Sequence, residues 1–518
     1  MRTNLRLDRI DVALELFCER HKLLLIAFFS SIYGVGTCML AARRALWNDE
    51  LFTLYISQLP SFGEIWAALL TGGEQIPPFF HLVTRLSLNL LGVNELAIRF
   101  PQVLGFWLMS LCLFHIVAKR SSALCGFGAM LFPLVTGAYE YAHEGRPYGM
   151  VLGFAALALI CWQKAAEEPR RKAFLIGLAL SMAAAISSHY YAVFLLVPLG
   201  AGEAMRSIAR KRFDLPIWIA FASGFIPLVL FLPLIQESIK QSSIFWAQPN
   251  WRSALQFYYS MLAPALMPIM AMLILSGFFA VSQTSTRNDR MAHAASMPSH
   301  EIVAALGFIT LPFVAWTVAA LFTGAMTPRY VISTIIGLSI AIAFFPRSLS
   351  SGSAIVNGSF VICLLGGFFS VQLRGLQNIA EVQSHRVRAI ELLHSNGHKR
   401  LPIVASDLNT FTTLAHYAPK QIAERLVYLS DAQASLKYLK HSSVDQGILD
   451  LKPWFRLNIE EYRRFISEQK QFLVYGGTDP NWVWLHSELN HGGFRIEMEG
   501  RNKANFLFLV TSPDQSIR

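Results

Sequence analysis

Asp49 and Glu50 stand side by side in "LWNDELF", directly after a bilayer-length apolar run and two arginines, Arg43 and Arg44. Three further corners set charge among apolar residues: "YEYAHEGRPYGM" with Glu140, His143, Glu144 and Arg146, "TPRYVIS" with Arg329 and Tyr330, and "SSHYYA" with His189. Carboxylates, arginines and a histidine gathered on one side of a membrane suit transfer of a group from a lipid phosphate to a hydroxyl. The acceptor needs a base within hydrogen-bond reach, and one carboxylate suffices. The phosphate departs as an anion, so the second, protonated carboxyl of an ordinary glycosidase is dispensable. Arginine, or a divalent cation such as Mg²⁺ or Mn²⁺ held by Asp or Glu oxygens, would stabilise the charge developing on the phosphate.

Each corner also has a plainer reading. Acidic residues favour the first turn of a helix, so Asp49 and Glu50 could be a solvated helix start. Glu140, His143 and Glu144 could be solvated in a loop. Arg146 and Arg329 could anchor to headgroups, and His189 could pack at the interface among aromatic residues expected there. Residue types alone leave both readings open.

The elements that must position these corners are apolar spans. The chain of 518 residues is 54% hydrophobic and 15% charged, against ~25% charged in soluble domains. Runs near twenty residues recur over the first three-quarters, each long enough for roughly 30 Å of hydrocarbon. The fold class is therefore a helical, polytopic membrane protein with a small α/β domain at its C-terminal end. Residues 1–22 read as an amphipathic helix on the cytoplasmic leaflet. Residues 23–372 read as a transmembrane domain whose first external loop spans 41–100. The first run, Leu23 to Leu40, is a retained span, being longer than a signal-peptide core and lacking a small-residue cleavage site. Ten more follow at about 101–118, 121–139, 147–164, 173–190, 191–206, 215–235, 257–281, 301–322, 330–346 and 354–372. Residues 51–99, interrupted by Glu64, His81 and Arg85, suit interfacial helices better than a crossing.

The formal charge of +11 sits in short connectors (Lys119-Arg120, Arg170–Lys172, Arg206–Arg212, Arg287 and Arg290). All of them fall on one side if the positive-inside rule holds. That placement makes the basic balance topological and argues against a nucleic-acid partner. It also puts the N-terminus in the cytoplasm and the four charged corners outside an inner membrane. The six cysteines lie in or beside apolar segments with no disulfide or metal-site spacing. After Arg374, strand-like runs at 402–406, 426–429, 472–477 and 506–510 alternate with helical stretches at 408–417, 432–439 and 460–468. They predict an external α/β domain over 373–518, with no nucleotide-binding motif.

Taken in order, "LWNDELFTLY", "IPPFFHLVTRLSLNLLGVNELAIRF", "YEYAHEGRPYGM", "SSHYYAVFLLVPL" and "TPRYVIST" resemble the bacterial GT-C glycosyltransferases. The closer likeness is to the protein O-mannosyltransferase and aminoarabinose-transferase branch. The resemblance implies a polyprenyl-phosphate-linked sugar donor, a lipid, glycan or protein acceptor, and inverting transfer on the periplasmic or extracellular face. It places the catalytic acid at Asp49, with Glu50 beside it, and phosphate contacts at Arg146 and Arg329. His189, Glu144 and Tyr330 become ligand or substrate contacts, and Asp49 with His189 would hold the divalent cation if one takes part. One departure stands out: relatives often carry a basic residue just before the double proline, where this chain has Ile76. A transporter of lipid-linked saccharides is the competing class. It would place ionisable groups near mid-membrane and often show internal repeats, and neither is visible. A glycan ligase of the same architecture would lean on external Arg and His rather than on the first-loop acid.

Overall fold

The computed structural model describes residues 2–241, 244–282, 297–349 and 354–513. Most of the predicted polar connector 282–300, including Arg287, Arg290 and His293, lies outside the described residues. Among the described residues, seven helices are long and apolar enough to cross a membrane: Lys22–Arg43, Glu95–Arg120, Tyr148–Glu167, Tyr190–Arg210, Trp251–Phe278, Ser299–Thr323 and Ala354–Ser395. A pair bent by 64°, Leu215–Leu230 with Leu232–Lys240, and three shorter apolar helices (Ala123–Val135, Lys172–Ser188, Thr334–Phe345) fill the other places where the sequence predicts spans. The protein is thus a multi-span membrane protein.

Small residues let the central helices touch. A Cβ on Gly153 would lie 2.6 Å from the Gly105 carbonyl oxygen, and one on Gly149 would lie 2.6 Å from that of Gln102. Backbone-to-backbone approach of this kind is how helices associate in lipid without a hydrophobic drive. It fixes the corner at 140–147 against the helix Glu95–Arg120. That helix starts at Glu95, capped by the Asn94 side chain on Ala97 N–H at 2.9 Å, six residues before Pro101, where the apolar run suggested it would begin. At the opposite end, Arg120 pairs with Glu167 and Glu301. Arg206 there binds Glu203 at 2.9 Å and Asp214 at 2.6 Å, so the basic connectors share one face.

Residues 48–91 form three short helices, Asn48–Ser57, Phe62–Leu69 and Pro78–Leu91. Over them lies a six-stranded sheet of order β3-β2-β1-β4-β6-β5. Its strands are β1 (Ile403–Ala405), β2 (Leu426–Ser430), β3 (Ile459–Glu461), β4 (Gln471–Gly476), β5 (Arg495–Asn502) and β6 (Asn505–Thr511). The first four run parallel and the last two close the edge antiparallel. The helical stretch predicted at 460–468 begins instead at Tyr462, because Ile459–Glu461 pairs with Tyr428–Ser430. Strand β5 escapes the sequence reading because one face is open, leaving no apolar run.

The expected boundary at 372–373 falls inside one unbroken helix, Ala354–Ser395, which carries the chain from the spans into the sheet region. The sheet region also shares a core with the first loop: Phe52, Ile56, Leu59 and Leu69 pack in one cluster with Phe411, Leu451 and Phe455. Phe455 meets Phe52 and Tyr55 edge-on at 5.1 and 5.3 Å. At the turn before Glu74, Gly72 takes φ +77°, and a Cβ on Gly73 would meet the Gly447 carbonyl oxygen at 2.7 Å.

Candidate active site

Between the loop helices and the sheet lies a cavity of about 890 Å³. Asp49 enters it from the first turn of the helix Asn48–Ser57, whose start is fixed by Glu50 folding back onto the Trp47 N–H at 3.3 Å. The Asp49 carboxylate lies 3.2 Å from Arg329 Nη2 and 4.0 Å from Arg146 Nε. Arg329 stands between the rings of Trp47 and Tyr148, at 5.9 and 5.7 Å. Arg146 is nearly buried and grips Glu74 with both terminal nitrogens, at 2.8 and 3.2 Å, while its Nη1 also donates to the Asp49 carbonyl at 3.1 Å. The Nε–H groups of both arginines are buried without a hydrogen-bond partner. Unpartnered cationic donors beside a cavity are built to receive an anion.

Asp49, Arg146, Arg329, His189 and Tyr330, five of the residues singled out in the sequence, therefore meet on one cavity wall. Two do not. Glu50 is fully buried, away from the cavity. Arg99 binds it through Nε at 2.7 Å and Nη2 at 2.6 Å, and Gly145 N–H donates at 2.6 Å. Arg99 in turn donates to the carbonyls of Ala41, Arg44 and Ala45, at 2.7, 2.5 and 3.0 Å. Despite burial, the Arg99 charge and these hydrogen bonds hold the Glu50 carboxyl down at about 2. The place expected for Glu50 beside Asp49 in the site is not the one it takes: its oxygens are committed to tying the first loop to the corner at 145.

Glu144 likewise points elsewhere. It lines a separate space of about 390 Å³ with Arg43, Arg44 and Arg386. Burial, then repulsion from Glu50, pushes its carboxyl up to about 7, and its Oε1 has no partner. The substrate contact expected of Glu144 is therefore not to the large cavity.

The expected pairing of Asp49 and His189 around a divalent cation does not fit this wall. His189 packs against Tyr148, Tyr191 and Tyr330, with ring centres 5.5, 5.9 and 4.9 Å away. Its Nδ1 accepts the Tyr191 N–H at 3.2 Å. Asp49 is faced by two guanidinium groups, which would repel a cation. Among the described residues, no three His, Cys, Asp or Glu side chains come together in a metal-ligand group.

Sequence reasoning missed Glu74 and Arg99, the partners that aim Arg146 and lock Glu50. The available signal was a lone charge in a Gly-Gly turn for Glu74, and an arginine at the head of an apolar run for Arg99.

Comparison with known proteins now bears on this arrangement. Residues 75–236 match the family described as dolichyl-phosphate-mannose-protein mannosyltransferase. No curated protein matches the chain in sequence. Among solved structures, ArnT from Cupriavidus metallidurans in the apo state superposes with a TM-score of 0.55 at 13% identity, over 93% of this chain and 97% of that one. ArnT bound to undecaprenyl phosphate gives 0.55 at 14% identity, over the same shares. The Archaeoglobus fulgidus oligosaccharyltransferase in complex with Zn and sulfate gives 0.40 at 12% identity, over 86% of this chain and 67% of that one. The class defined is one of fold, a multi-span membrane protein of the GT-C architecture, part of which is similar to a mannosyltransferase family. Within that class, the fold is similar to ArnT from end to end.

Proposed function

We propose that this protein transfers a sugar from a polyprenyl-phosphate-linked donor to an acceptor hydroxyl, with inversion, on the outer face of the inner membrane. The observation that carries this reading is one carboxylate, Asp49, flanked by the buried Arg146 and the partly exposed Arg329, whose Nε–H groups lack partners. The solved complex of ArnT with undecaprenyl phosphate supports the donor class.

In this reading Arg329 shifts from Asp49 to the incoming phosphate, supplying a charge-assisted contact where negative charge grows as the glycosidic bond breaks. Asp49, released from its ion pair, accepts the proton of the acceptor hydroxyl, whose oxygen attacks the anomeric carbon from the face opposite the phosphate. The lone pair of the broken C–O bond leaves on the phosphate. Arg146, clamped by Glu74, supplies the second positive group without moving. Three aromatic rings hold His189 in the wall beside them.

The test is transfer by the purified protein, reconstituted in lipid, from polyprenyl-phosphate sugars. Asp49→Asn should cost about 10²-fold or more in turnover, the range of a lost general base, while leaving donor binding intact. Arg329→Met should instead weaken donor binding. Undiminished transfer by a well-folded Asp49→Asn would remove the base from the scheme.

A further inference from the structure

The cavity has two unlike walls. The wall carried by the helices holds Arg146 and Arg329. The opposite wall comes from the sheet region, and none of its cavity-lining residues is Lys or Arg. It presents Ser406, Asp407, Asn409, Asp479 and Trp482 instead, and Trp246 from the loop after the bent helix pair completes the rim.

These residues are where sheet topology puts ligands. From β1 the chain steps outward to β2 and β3, then returns to the other side of β1 as β4. The order reverses between β1 and β4, and the crevice beyond the carboxyl ends at such a switch point is the usual ligand site of open α/β sheets. Ser406 and Asp407 directly follow β1, and Asp479 lies three residues past the end of β4. The crevice opens straight into the space before Asp49.

Its chemistry is specific. Asp407 and Asp479 offer acceptor oxygens: one oxygen of each is fixed by a local backbone N–H, from Thr410 and Asn481, at 2.9 Å, and the second Asp407 oxygen is oriented by the Thr410 hydroxyl at 2.7 Å with a further lone pair to accept from a ligand. Trp246 and Trp482 stand with ring centres 6.5 Å apart, and both rings are well exposed. His441 and Ser443 line the same wall, and each keeps a buried polar atom without a partner. Flat apolar faces beside rigid hydrogen-bond acceptors recognise a ring that is apolar on its faces and rich in O–H donors at its rim. A phosphorylated ligand would meet carboxylates with no compensating cation, an arrangement that selects against it.

We propose that the crevice at the carboxyl ends of β1 and β4 is an acceptor subsite for a neutral carbohydrate, held by Trp246, Trp482, Asp407 and Asp479 and presented to Asp49 across the cavity. The assignment rests on the transferase reading above for its direction, while the binding chemistry stands separately.

Saturation-transfer NMR on the full-length protein in lipid nanodiscs would test it. The probes are mannotriose and chitotriose, set against mannose 6-phosphate as the anionic sugar. Phosphosugar binding should go to the arginine wall, falling in Arg329→Met and unchanged in Trp482→Ala, while the neutral trisaccharides bind the crevice. Trp482→Ala and Asp479→Asn should each weaken trisaccharide binding about tenfold. Both tested positions are at the surface, and Asn retains the oxygen that caps the local turn, so the variants keep the wild-type melting temperature. Phosphosugar binding that falls with Trp482, wild-type trisaccharide affinity in both crevice variants, or no response to either trisaccharide would overturn the proposal. Neutral-sugar binding lost with Trp482 in a protein that turns over no polyprenyl-phosphate sugar would uphold the crevice and reject the donor reading alone.

Discussion

At the scale of single residues, the pair that opens the first loop divides its labour. Asp49 reaches the cavity, and Glu50 turns inward to a buried guanidinium. Removing one partner of such a pair leaves an uncompensated charge in the interior, at roughly 3–5 kcal/mol. Glu50→Gln should therefore lower the melting temperature sharply, in contrast to Asp49→Asn, which should cost turnover at unchanged stability. Thermal melts in detergent beside transfer assays separate the two. Glu144 gives the opposite sign. Its folded carboxyl titrates at about 7, above the ordinary value near 4.5, so the folded state holds a proton that the unfolded state gives up. Its contribution is fully present below the unfolded value and is lost as pH rises through about 7. Glu144→Gln should match wild type at pH 4 and exceed it at pH 8 by roughly 1–3 kcal/mol. A difference constant across that range would exclude this titration. Adjacent acids of one sequence type thus end in different environments, which is why "NDE" alone could nominate both and separate neither.

At the scale of elements, the turn at Gly72–Gly73 carries more than its sequence suggested. It delivers Glu74 to Arg146 on one side and touches the helix Ser443–Leu451 on the other. Gly73→Ala would place a methyl group against the Gly447 carbonyl and Leu451, so the turn must shift and take Glu74 with it. We expect at least a tenfold loss of donor affinity with the apolar spans intact, read as weaker binding at wild-type helical content. Restored affinity in Gly73→Ala combined with Gly447→Ala would contradict this route, because a second methyl only tightens the contact. The apolar runs made the spans legible, since hydrocarbon demands length and apolarity of each segment separately. Strands β1, β2, β4 and β6 were legible as short buried runs for a similar reason. What could not be read was pairing between segments: Arg99 with Glu50 across 49 positions, Arg146 with Glu74 across 72, and Asn48 with Asn409 across 361. Each is a fact of packing that no local pattern encodes.

At the scale of the molecule, the cavity belongs neither to the helices nor to the sheet. The Leu46 N–H donates to Tyr417 Oη at 2.9 Å, Tyr417 Oη donates to Glu95 at 2.9 Å, and Gln241 bridges the Thr71 carbonyl and Asp450 at 3.0 and 3.2 Å. With the shared apolar cluster, these contacts make the sheet region a wall of the site rather than an appendage. Its side of the membrane therefore decides which pool of acceptors the site can meet. The basic connectors gather at the far end from the sheet, and short basic connectors are retained in the cytoplasm. The sheet, Asp49 and the acceptor crevice should then face outward together. The chain offers a clean reporter, because all six cysteines precede residue 364 and the sheet region has none. Lys420 is 87% exposed at its side chain, so Lys420→Cys adds one accessible thiol without disturbing packing. In intact spheroplasts a membrane-impermeant maleimide should label this variant as fully as after permeabilisation, while wild type stays unlabelled under both conditions. Labelling that appears only once the membrane is breached would place the catalytic wall in the cytoplasm. The donor would then have to present its sugar on the opposite leaflet.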